Sequence, residues 1–494
     1  METLCGFDPH PPYNKNIIQK LFASFTFTMM TQIPTLHSPS PTPRWLTAWM
    51  LVIAFALTGC FPTAPADPTA TPSLSAPTIV MIDGTPQVLN GPLNPTPTPN
   101  TTNPNPVQIT ELQYTQNGTL LTVLAKLQNV RSDAILKDVQ LEIIGLDSVG
   151  NRIAQAFTAI RYIFPRETTG LVQTFELTPG LETGTVEIHV NSGVIDQELR
   201  YSQPLTVTQP AWFANSGNPI FTGWLINTDP YTYTQVALHT IAYNAAGEII
   251  GGGIGKAEFV PAEDKIGVQI ATDLADEPAR VEIYPWVTAE SATLEEGDWW
   301  NTLEVQDWNF VLTADHWVGG GAELVNKSDS LLTQSYYIIT VSDAQGRVCL
   351  VNKGYIDLIW PKESIHFSPG AFRAPQESAP RHVDMIIVPG EFGQHALAYN
   401  PLVASQGVLP ADNMENVVQI NVINNLNANI SSAIVSVILR DATGQIVGGG
   451  NTRTGTLPAS SGTLVEVPVA VIGDLAGLRV EASASVAADA FIGN

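Results

Sequence analysis

Charged residues are scarce in this chain of 494 residues: they make up 14% of it, against about 25% in ordinary globular proteins. Lysine and arginine are scarcest, with 22 residues against 46 acidic ones and a formal net charge of −24. Phosphate binding needs clustered basic side chains, so this composition argues against a nucleic-acid partner. The apolar fraction of 44% still predicts folded domains, and the length suffices for about three to five of them.

Cysteine and long apolar runs are the other shortages. Three cysteines are too few for a disulfide scaffold. The apolar run over residues 45–57 is too short for a membrane span, which needs about 20 residues. Arg44 stands before this run and Gly59-Cys60 closes it, an arrangement typical of a secretory signal. A buried helix that ends in a chance cysteine is the alternative.

The residues Leu57-Thr58-Gly59-Cys60 resemble the bacterial lipobox, whose cysteine is acylated and becomes the mature N-terminus. This resemblance implies a signal peptide over 1–59, with Met29 or Met30 as a possible true start, and a lipidated Cys60. The acyl chains would attach an exported protein to the cell membrane or outer membrane. Phe61, rather than aspartate, follows the cysteine, which favours the outer membrane or cell surface where a cell has two membranes.

Residues 60–107 are rich in proline, threonine and asparagine. Such a segment buries too little apolar surface to fold, and proline stiffens it toward polyproline II. The sequence therefore predicts a disordered linker between the lipid anchor and the folded part. A proline-rich docking ligand is the alternative.

The rest of the chain contains one unit written four times. Four turns share Asp or Asn at their first position and Gly at their fourth, a pattern that favours type I turns. Their glycines are 97, 99 and 98 residues apart. An asparagine ends a strand-like stretch ahead of each turn, and a proline follows each turn, opening Pro-x-Glu in three units. The turns are Asp147-Ser-Val-Gly150, Asn244-Ala-Ala-Gly247, Asp343-Ala-Gln-Gly346 and Asp441-Ala-Thr-Gly444, and the asparagines are Asn129, Asn227, Asn326 and Asn424.

Between these landmarks the apolar residues alternate with polar or small ones, which indicates half-buried antiparallel strands. Units of about 95 residues with several short strands have the size of immunoglobulin-like sandwiches. The sequence therefore predicts an all-β fold of four tandem immunoglobulin-like antiparallel β-sandwich units. Their predicted bounds are 108–202, 203–302, 303–394 and 395–494.

The strand that ends in Asn, the strand into Asp-x-x-Gly and the Pro-x-Glu loop together resemble the FxLYD-type domain of bacterial envelope proteins. The resemblance covers residues 108–494 as four degenerate copies, although the Phe-x-Leu-Tyr-Asp string itself is absent. It implies an architecture similar to the immunoglobulin fold and a generally non-catalytic role.

No motif points to catalysis, a cofactor or a metal. The six histidines after residue 60 form no zinc-binding spacing, and no Gly-x-Ser-x-Gly occurs. A triad assembled from distant residues stays open at this stage. The run Gly251-Gly-Gly-Ile-Gly-Lys256 lacks the spacing of a phosphate loop, and Gly448-Gly-Gly450 repeats it at the same offset from its turn. We interpret both as twisted or bulged strand. The acidic clusters 273–277 and 295–298 are interpreted as solvated loops.

Tryptophan gives the remaining functional hint, because all eight tryptophans after residue 60 fall in the middle two units and their junction. Trp299, Trp300 and Trp308 are the candidate recognition residues, since exposed aromatic rings serve protein or glycan binding. Packing between the second and third units is the alternative. The sequence thus favours a non-catalytic surface lipoprotein that acts as spacer, scaffold or protein-binding module for an unidentified envelope partner. The alternative function is glycan or ligand binding at the Trp299-Trp300 junction.

Overall fold

The computed structural model describes residues 79–82, 85–88, 105–196, 203–215, 218–408 and 416–493, except 273, 275, 296, 406 and 474. The described residues form β-strands and one 3-10 turn over Trp300–Thr302, without an α-helix. None of their helical segments is long and apolar enough to cross a membrane. The chain divides into a compact unit that ends at Pro99 and a second one over Asn100–Asn494.

In the first compact unit, strands β1 (Ile79–Ile82) and β2 (Thr85–Val88) form an antiparallel pair inside the segment predicted as linker. Cys60 and the predicted signal lie outside the described residues. The all-β prediction is confirmed for the described part of the chain. The compact unit over Asn100–Asn494 contains four sandwich-like units, each built from two antiparallel sheets. From here on, the first to fourth units are these four.

Each sandwich-like unit has one sheet that pairs its first, second and fifth principal strands, here called the A sheet. Its B sheet pairs the fourth, third and sixth. In the first unit the A sheet is β3-β4-β7 and the B sheet is β6-β5-β8. The strands are β3 (Val107–Asn117), β4 (Leu120–Asn129), β5 (Ile135–Leu146), β6 (Arg152–Ile163), β7 (Thr168–Glu176) and β8 (Thr185–Asp196).

The second unit repeats this order, with β9-β10-β13 as A sheet and β12-β11-β14 as B sheet; a short strand β15 also pairs with β11. Its strands are β9 (Leu205–Asn215), β10 (Asn218–Asn227), β11 (Thr232–Tyr243), β12 (Ile249–Val260), β13 (Lys265–Ala271), β14 (Arg280–Trp286) and β15 (Ala292–Leu294).

In the third unit the A sheet is β16-β17-β20, with β21 also on β17, and the B sheet is β19-β18-β22, with β23 also on β18. The strands are β16 (Leu303–Leu312), β17 (Trp317–Asn326), β18 (Leu331–Asp343), β19 (Val348–Ile359), β20 (Ser364–Phe367), β21 (Phe372–Arg373), β22 (Pro380–Val388) and β23 (Glu391–Gly393).

The fourth unit has β24-β25-β29 as A sheet and β30-β28-β27-β31 as B sheet, and β26 pairs with β32 beside them. The strands are β24 (Leu402–Ala404), β25 (Val417–Asn424), β26 (Asn429–Ile430), β27 (Ala433–Arg440), β28 (Ile446–Arg453), β29 (Ser461–Pro468), β30 (Ala470–Val471), β31 (Arg479–Val486) and β32 (Ile492–Gly493).

The four predicted turns are confirmed. In each, the side-chain oxygen of the first residue accepts two backbone N–H groups; Asp441 Oδ1 accepts those of Thr443 and Gln445 at 2.9 and 3.0 Å. The fourth residue has φ between 78° and 89°, a conformation that glycine adopts without strain. A bulge disturbs the pairing just after each turn, and its extra residue is the one before the glycine run: Ile250 in the second unit and Val447 in the fourth. Both glycine runs lie in strand, as predicted, directly beside a bulge that all four units share.

The repeated asparagine is a buried clamp that ties the end of its strand to the loop after the fourth strand. In the third unit Asn326 Nδ2 donates to the carbonyls of Ser330, Ile359 and Trp360 at 2.8 to 3.0 Å. Its Oδ1 accepts the Ser328 N–H at 2.9 Å. Asn129, Asn227 and Asn424 make the same set of bonds, and all four side chains are at most 1% exposed.

The Pro-x-Glu loops are not all equivalent. Asn129 and Asn326 donate their backbone N–H groups to the carbonyls of Glu167 and Glu363, as the repeat predicts. In the second unit Asn227 donates to Asp264 instead, one residue past Glu263. Glu263 itself occupies the left-handed position, at φ 50°, that Arg166 and Lys362 hold in the other units. The matching Pro-x-Glu spacing of the second unit is therefore offset by one residue from its structural counterparts.

The sheets of successive units stack face to face, because the A sheet of each unit packs against the B sheet of the next. Leu124 and Val172 of the first unit contact Ile241 and Tyr243 of the second. Tyr336, from the third unit, belongs to the core cluster of the second. The prediction of half-buried strands is consequently wrong for the central strands of the inner B sheets: eleven of the twelve residues of β11 are buried, so both its faces are covered.

Candidate functional site

Tryptophan side chains lie at the junctions between units. Trp286 donates from Nε1 to Thr169 Oγ1 of the first unit at 2.7 Å, and Trp224 donates to the Gly346 carbonyl of the third at 2.6 Å. Trp360 belongs to the core cluster that it shares with the fourth unit. Trp224 is buried at this junction. Trp286 and Trp224 therefore join two units through both the ring and the single N–H donor, whereas Trp360 does so through its ring alone, because its buried Nε1 has no hydrogen-bond partner.

The three candidate recognition tryptophans do not form one surface. Trp299 and Trp300 are half-buried, with ring centroids 5.6 Å apart, and pack against the core cluster of the second unit. Trp299 Nε1 also donates to the Gly390 carbonyl of the third unit at 3.0 Å. Trp308 is 41% exposed and lies on β16, where its ring contacts Phe310. The contacts of the first two residues join units, while Trp308 keeps an exposed ring.

A histidine is buried at the junction of the first two units. His239 Nδ1 accepts the backbone N–H of Val172 at 3.1 Å, and its ring centroid lies 3.9 Å from that of Trp286. Burial lowers the pKa of this imidazole to about 4, because a charged ring would lose its hydration there. As an acceptor at Nδ1, the ring is neutral in the folded protein.

This histidine makes stability depend on pH. Its pKa is lower in the folded protein than the 6.5 of the unfolded chain, so its contribution is complete above pH 6.5 and is lost as pH falls toward 4. Burial raises the pKa of Glu167 to about 7, which acts in the opposite direction over the same range. We therefore compare the variant His239→Asn, which keeps a hydrogen-bond acceptor, with wild type. When the pH falls from 7 to 4.5, the free energy of unfolding should decrease by about 2 kcal/mol less in the variant than in wild type.

Urea unfolding at both pH values measures this difference. His189→Asn is the matched control, because His189 is exposed and pairs only with Glu187. Equal pH dependence in wild type and His239→Asn would contradict the assignment of His239 as the titrating group.

A cavity of about 200 Å³ opens between the third and fourth units. Its floor is the outer face of the B sheet of the fourth unit, where Ser436 pairs with Asn451 on one side and Ser483 on the other. The next row of the same face holds Ile434 between Arg453 and Ser485. The third unit covers the floor with side chains of β18, β19 and β20 and the residue after it: Tyr337, Tyr355, Ile356, Asp357, Leu358, Ile365, His366, Phe367 and Ser368.

The cavity wall contains a serine, a histidine and a carboxylate that are distant in sequence. His366 Nδ1 lies 3.3 Å from Ser483 Oγ, and its Nε2 lies 3.4 Å from Glu481. These are the residue types of a nucleophilic triad. Glu481 is, however, engaged by Arg440 at 2.7 Å and by Arg479 at 2.6 Å. The Glu481 carboxylate is therefore shared with two guanidinium groups and does not serve the imidazole alone.

Arg440 joins the third and fourth units by a partly enclosed ion network. Its side chain is 7% exposed and contacts Asp307 and Glu323 of the third unit as well as Glu481 of its own. Its pKa is raised, with burial opposing and the bonds to Asp307 and Glu481 favouring the charged form. A guanidinium that serves several carboxylates at once fixes the orientation of both partners.

Other sequence hypotheses concern metals and thiols. Within the described ranges, no three histidine, cysteine or carboxylate side chains converge as a metal site requires. Cys349 is fully buried against Phe213 and Ile220 of the second unit, so the thiol is part of a junction. Burial raises its pKa to about 11. The sequence did not predict the cavity. The available signal was Ser436, Ser483 and Ser485, which stand in strands of a unit otherwise rich in valine and isoleucine.

Comparisons with known proteins add little. No family model and no curated protein matches the chain. Among solved structures, the crystal structure of dimeric latent PorU from Porphyromonas gingivalis is similar over 78% of this chain and 33% of that one, with 10% sequence identity and a TM-score of 0.12. The chain therefore spans about a third of that protein, and a score of this size gives the likeness no weight.

Proposed function

We propose that this protein is a non-catalytic scaffold of the bacterial cell envelope, anchored to a membrane through acyl chains on Cys60. The stacking of A sheets on B sheets carries the proposal. Side chains such as Leu124, Trp224 and Arg440 fill the junctions, so a unit cannot swing freely about its neighbour. A chain built in this way holds its last unit in a fixed position relative to its first, which is what a spacer or scaffold requires.

Strand order supports an immunoglobulin-like assignment for the units. In each A sheet the second strand lies between the first and the fifth, as strand B of the immunoglobulin fold lies between its strands A and E. In each B sheet the third strand lies beside the sixth, as strand C of that fold lies beside strand F. The turn and asparagine landmarks further support a place among FxLYD-type domains of envelope lipoproteins. That family is generally non-catalytic, in agreement with the scaffold role.

The outer face of the last A sheet is where we place the protein partner. In the first three units the equivalent face is covered by the following unit. In the fourth no described residue of another unit covers it, and Val403, Ile423 and Leu464 are 50, 36 and 61% exposed. Val403 and Ile423 are direct neighbours across β24 and β25. Apolar side chains grouped on an uncovered sheet face favour docking of another protein.

Photo-crosslinking in a bacterial host tests this proposal. A photoreactive phenylalanine analogue in place of Leu464 should crosslink to one envelope protein, whereas the same analogue at Val149 should not. Val149 is 79% exposed in a turn of the first unit, which makes it a matched exposed position away from the face. Mass spectrometry of the crosslinked band reads out the result, and equal crosslinking at both positions would reject the docking face.

Cys60→Ala is the control for anchoring. Without the acylated cysteine the protein should move from the membrane fraction to the soluble fraction, because one or two acyl chains supply the membrane affinity. The crosslink at position 464 should weaken with it, since the partner is expected in the envelope. A Cys60→Ala protein that stays in the membrane fraction would contradict the lipid anchor.

A further inference from the structure

The cavity between the third and fourth units has a specific origin in the sequence. Ser436 lies five residues before the turn residue Asp441, and Ile338 lies five before Asp343. In the third unit Ile338 is flanked by Lys353 and Ile386, and the crevice at that junction measures only about 10 Å³. In the fourth unit the three equivalent positions hold Ser436, Asn451 and Ser483. These polar side chains are smaller than those of the third unit.

Close packing elsewhere at the same junction shows that the cavity is a local opening. A Cβ on Gly449 would lie 2.5 Å from the carbonyl oxygen of Gly320, so the two backbones touch there. One row from Ser436, Ile438 packs against Gly321. The sheets therefore meet along the glycine rows and leave space only where the serines replace larger residues.

One polar group in the cavity wall lacks a partner. Ser368 is fully buried, and its Oγ has no hydrogen-bond partner among the described residues. A buried hydroxyl without a partner costs about 1–3 kcal/mol, so the site is incomplete as it stands. The neighbouring Asn451 uses its Nδ2 on the Ser368 carbonyl at 2.8 Å. Because the Oγ is not exposed to the cavity as the structure stands, water or a ligand with a polar group meets this hydroxyl only once the Ser368 side chain turns toward the cavity.

The lining defines the chemistry of an occupant. Serine hydroxyls, the Asn451 amide and the tyrosine phenols both donate and accept hydrogen bonds. The two oppositely charged side chains offset each other: Arg453 is already bound to Asp489, and Asp357 accepts the Ala488 N–H. The rings of Tyr355 and Phe367 add apolar surface. A cavity of about 200 Å³ lies below the 300–1,000 Å³ of sites for drug-sized ligands, so the occupant is small.

We propose that this cavity binds a small, uncharged, hydroxyl-rich molecule, such as a single sugar unit, between the third and fourth units. Its hydroxyls would meet Ser368, Ser436 and Ser483. The site is separate from Trp299 and Trp300, and the proposal does not depend on the scaffold role or on Cys60. Since the floor and the cover belong to different units, binding would also strengthen their junction.

Saturation-transfer NMR on the full chain tests the proposal, with glucose and N-acetylglucosamine as probes and titrations for affinity. We expect at least one probe to bind, with an affinity reduced about tenfold or more in Ser436→Ile, which restores the residue of the third unit. Thr174→Ile is the matched control, because Thr174 is exposed on β7 far from the cavity in sequence. Ser368→Ala should also weaken binding while leaving thermal stability unchanged or higher, since it removes an unpartnered buried hydroxyl.

Two results would contradict the proposal. If neither probe binds at tens of millimolar, the cavity holds water only and the proposal is wrong. Binding that Ser436→Ile and Ser368→Ala both leave unchanged would place the sugar elsewhere on the protein. If Ser436→Ile does not fold, Ser368→Ala decides alone. None of these results bears on the crosslink at Leu464, so the two proposals fail independently.

Discussion

Asn326→Ala should destabilise the protein by about 4 kcal/mol, because it removes the donors for three carbonyls, two of them buried, and the acceptor for one N–H. Each unmet buried group costs about 1–3 kcal/mol, and the Asn326 side chain is itself fully buried. Urea unfolding followed by circular dichroism measures the loss. The effect is large because the clamp closes the loop that connects the two sheets of its unit.

Equivalent positions supply the controls for this prediction. Asn129→Ala, Asn227→Ala and Asn424→Ala remove the same bonds and should cost similar amounts. Asn301→Ala, at an exposed position, should change the free energy of unfolding by less than about 0.5 kcal/mol. A cost below about 1 kcal/mol at all four repeated asparagines would mean that the clamp is not what maintains the repeat.

Gly449→Ala should cost about 3 kcal/mol and loosen the junction of the third and fourth units. The added Cβ would lie 2.5 Å from the Gly320 oxygen and 2.8 Å from the Val437 oxygen. Both are backbone atoms within sheets, so neither can move aside as the end of a flexible side chain would. The substitution therefore pushes apart the sheets that Arg440 and Asn309 also connect.

Thermal unfolding and limited proteolysis measure this effect together. Gly455→Ala is the matched control, since a Cβ there meets nothing within 4 Å and its φ is not positive. We expect new cleavage near the junction in Gly449→Ala only. If both variants unfold at the same temperature, the close approach of Gly320 and Gly449 does not contribute to stability.

The sequence alone predicted the all-β class and the repeated units, because the turns and asparagines are local devices. Asp441 organises its turn through its own neighbours, and Asn424 marks the end of its strand at a constant distance from that turn. Such landmarks keep their spacing whatever lies outside the unit. The offset at Glu263 shows the limit of this reasoning, since Pro261 stands one position earlier in its loop than Pro361 does although the loop spacing from the asparagine is the same.

Contacts between units could not be predicted in the same way. Alternation predicts that every second residue of β11 faces solvent, whereas Ile241 and Tyr243 of that strand face the first unit. One available signal is that residues 232–243 contain no charged residue, which is typical of a strand covered on both faces. The cavity required still more, since Ser436 and His366 come from different units and meet only once the sheets stack.

Cys349 gives this stack an internal probe. It is the one described cysteine, and its side chain is fully buried against Phe213 and Ile220 across the second junction. A maleimide reagent reaches such a sulfur only during moments when the second and third units part. The rate at which Cys349 is alkylated, followed on its own peptide, is therefore a clock for the separation of two neighbouring layers, read from the natural chain without introducing a label.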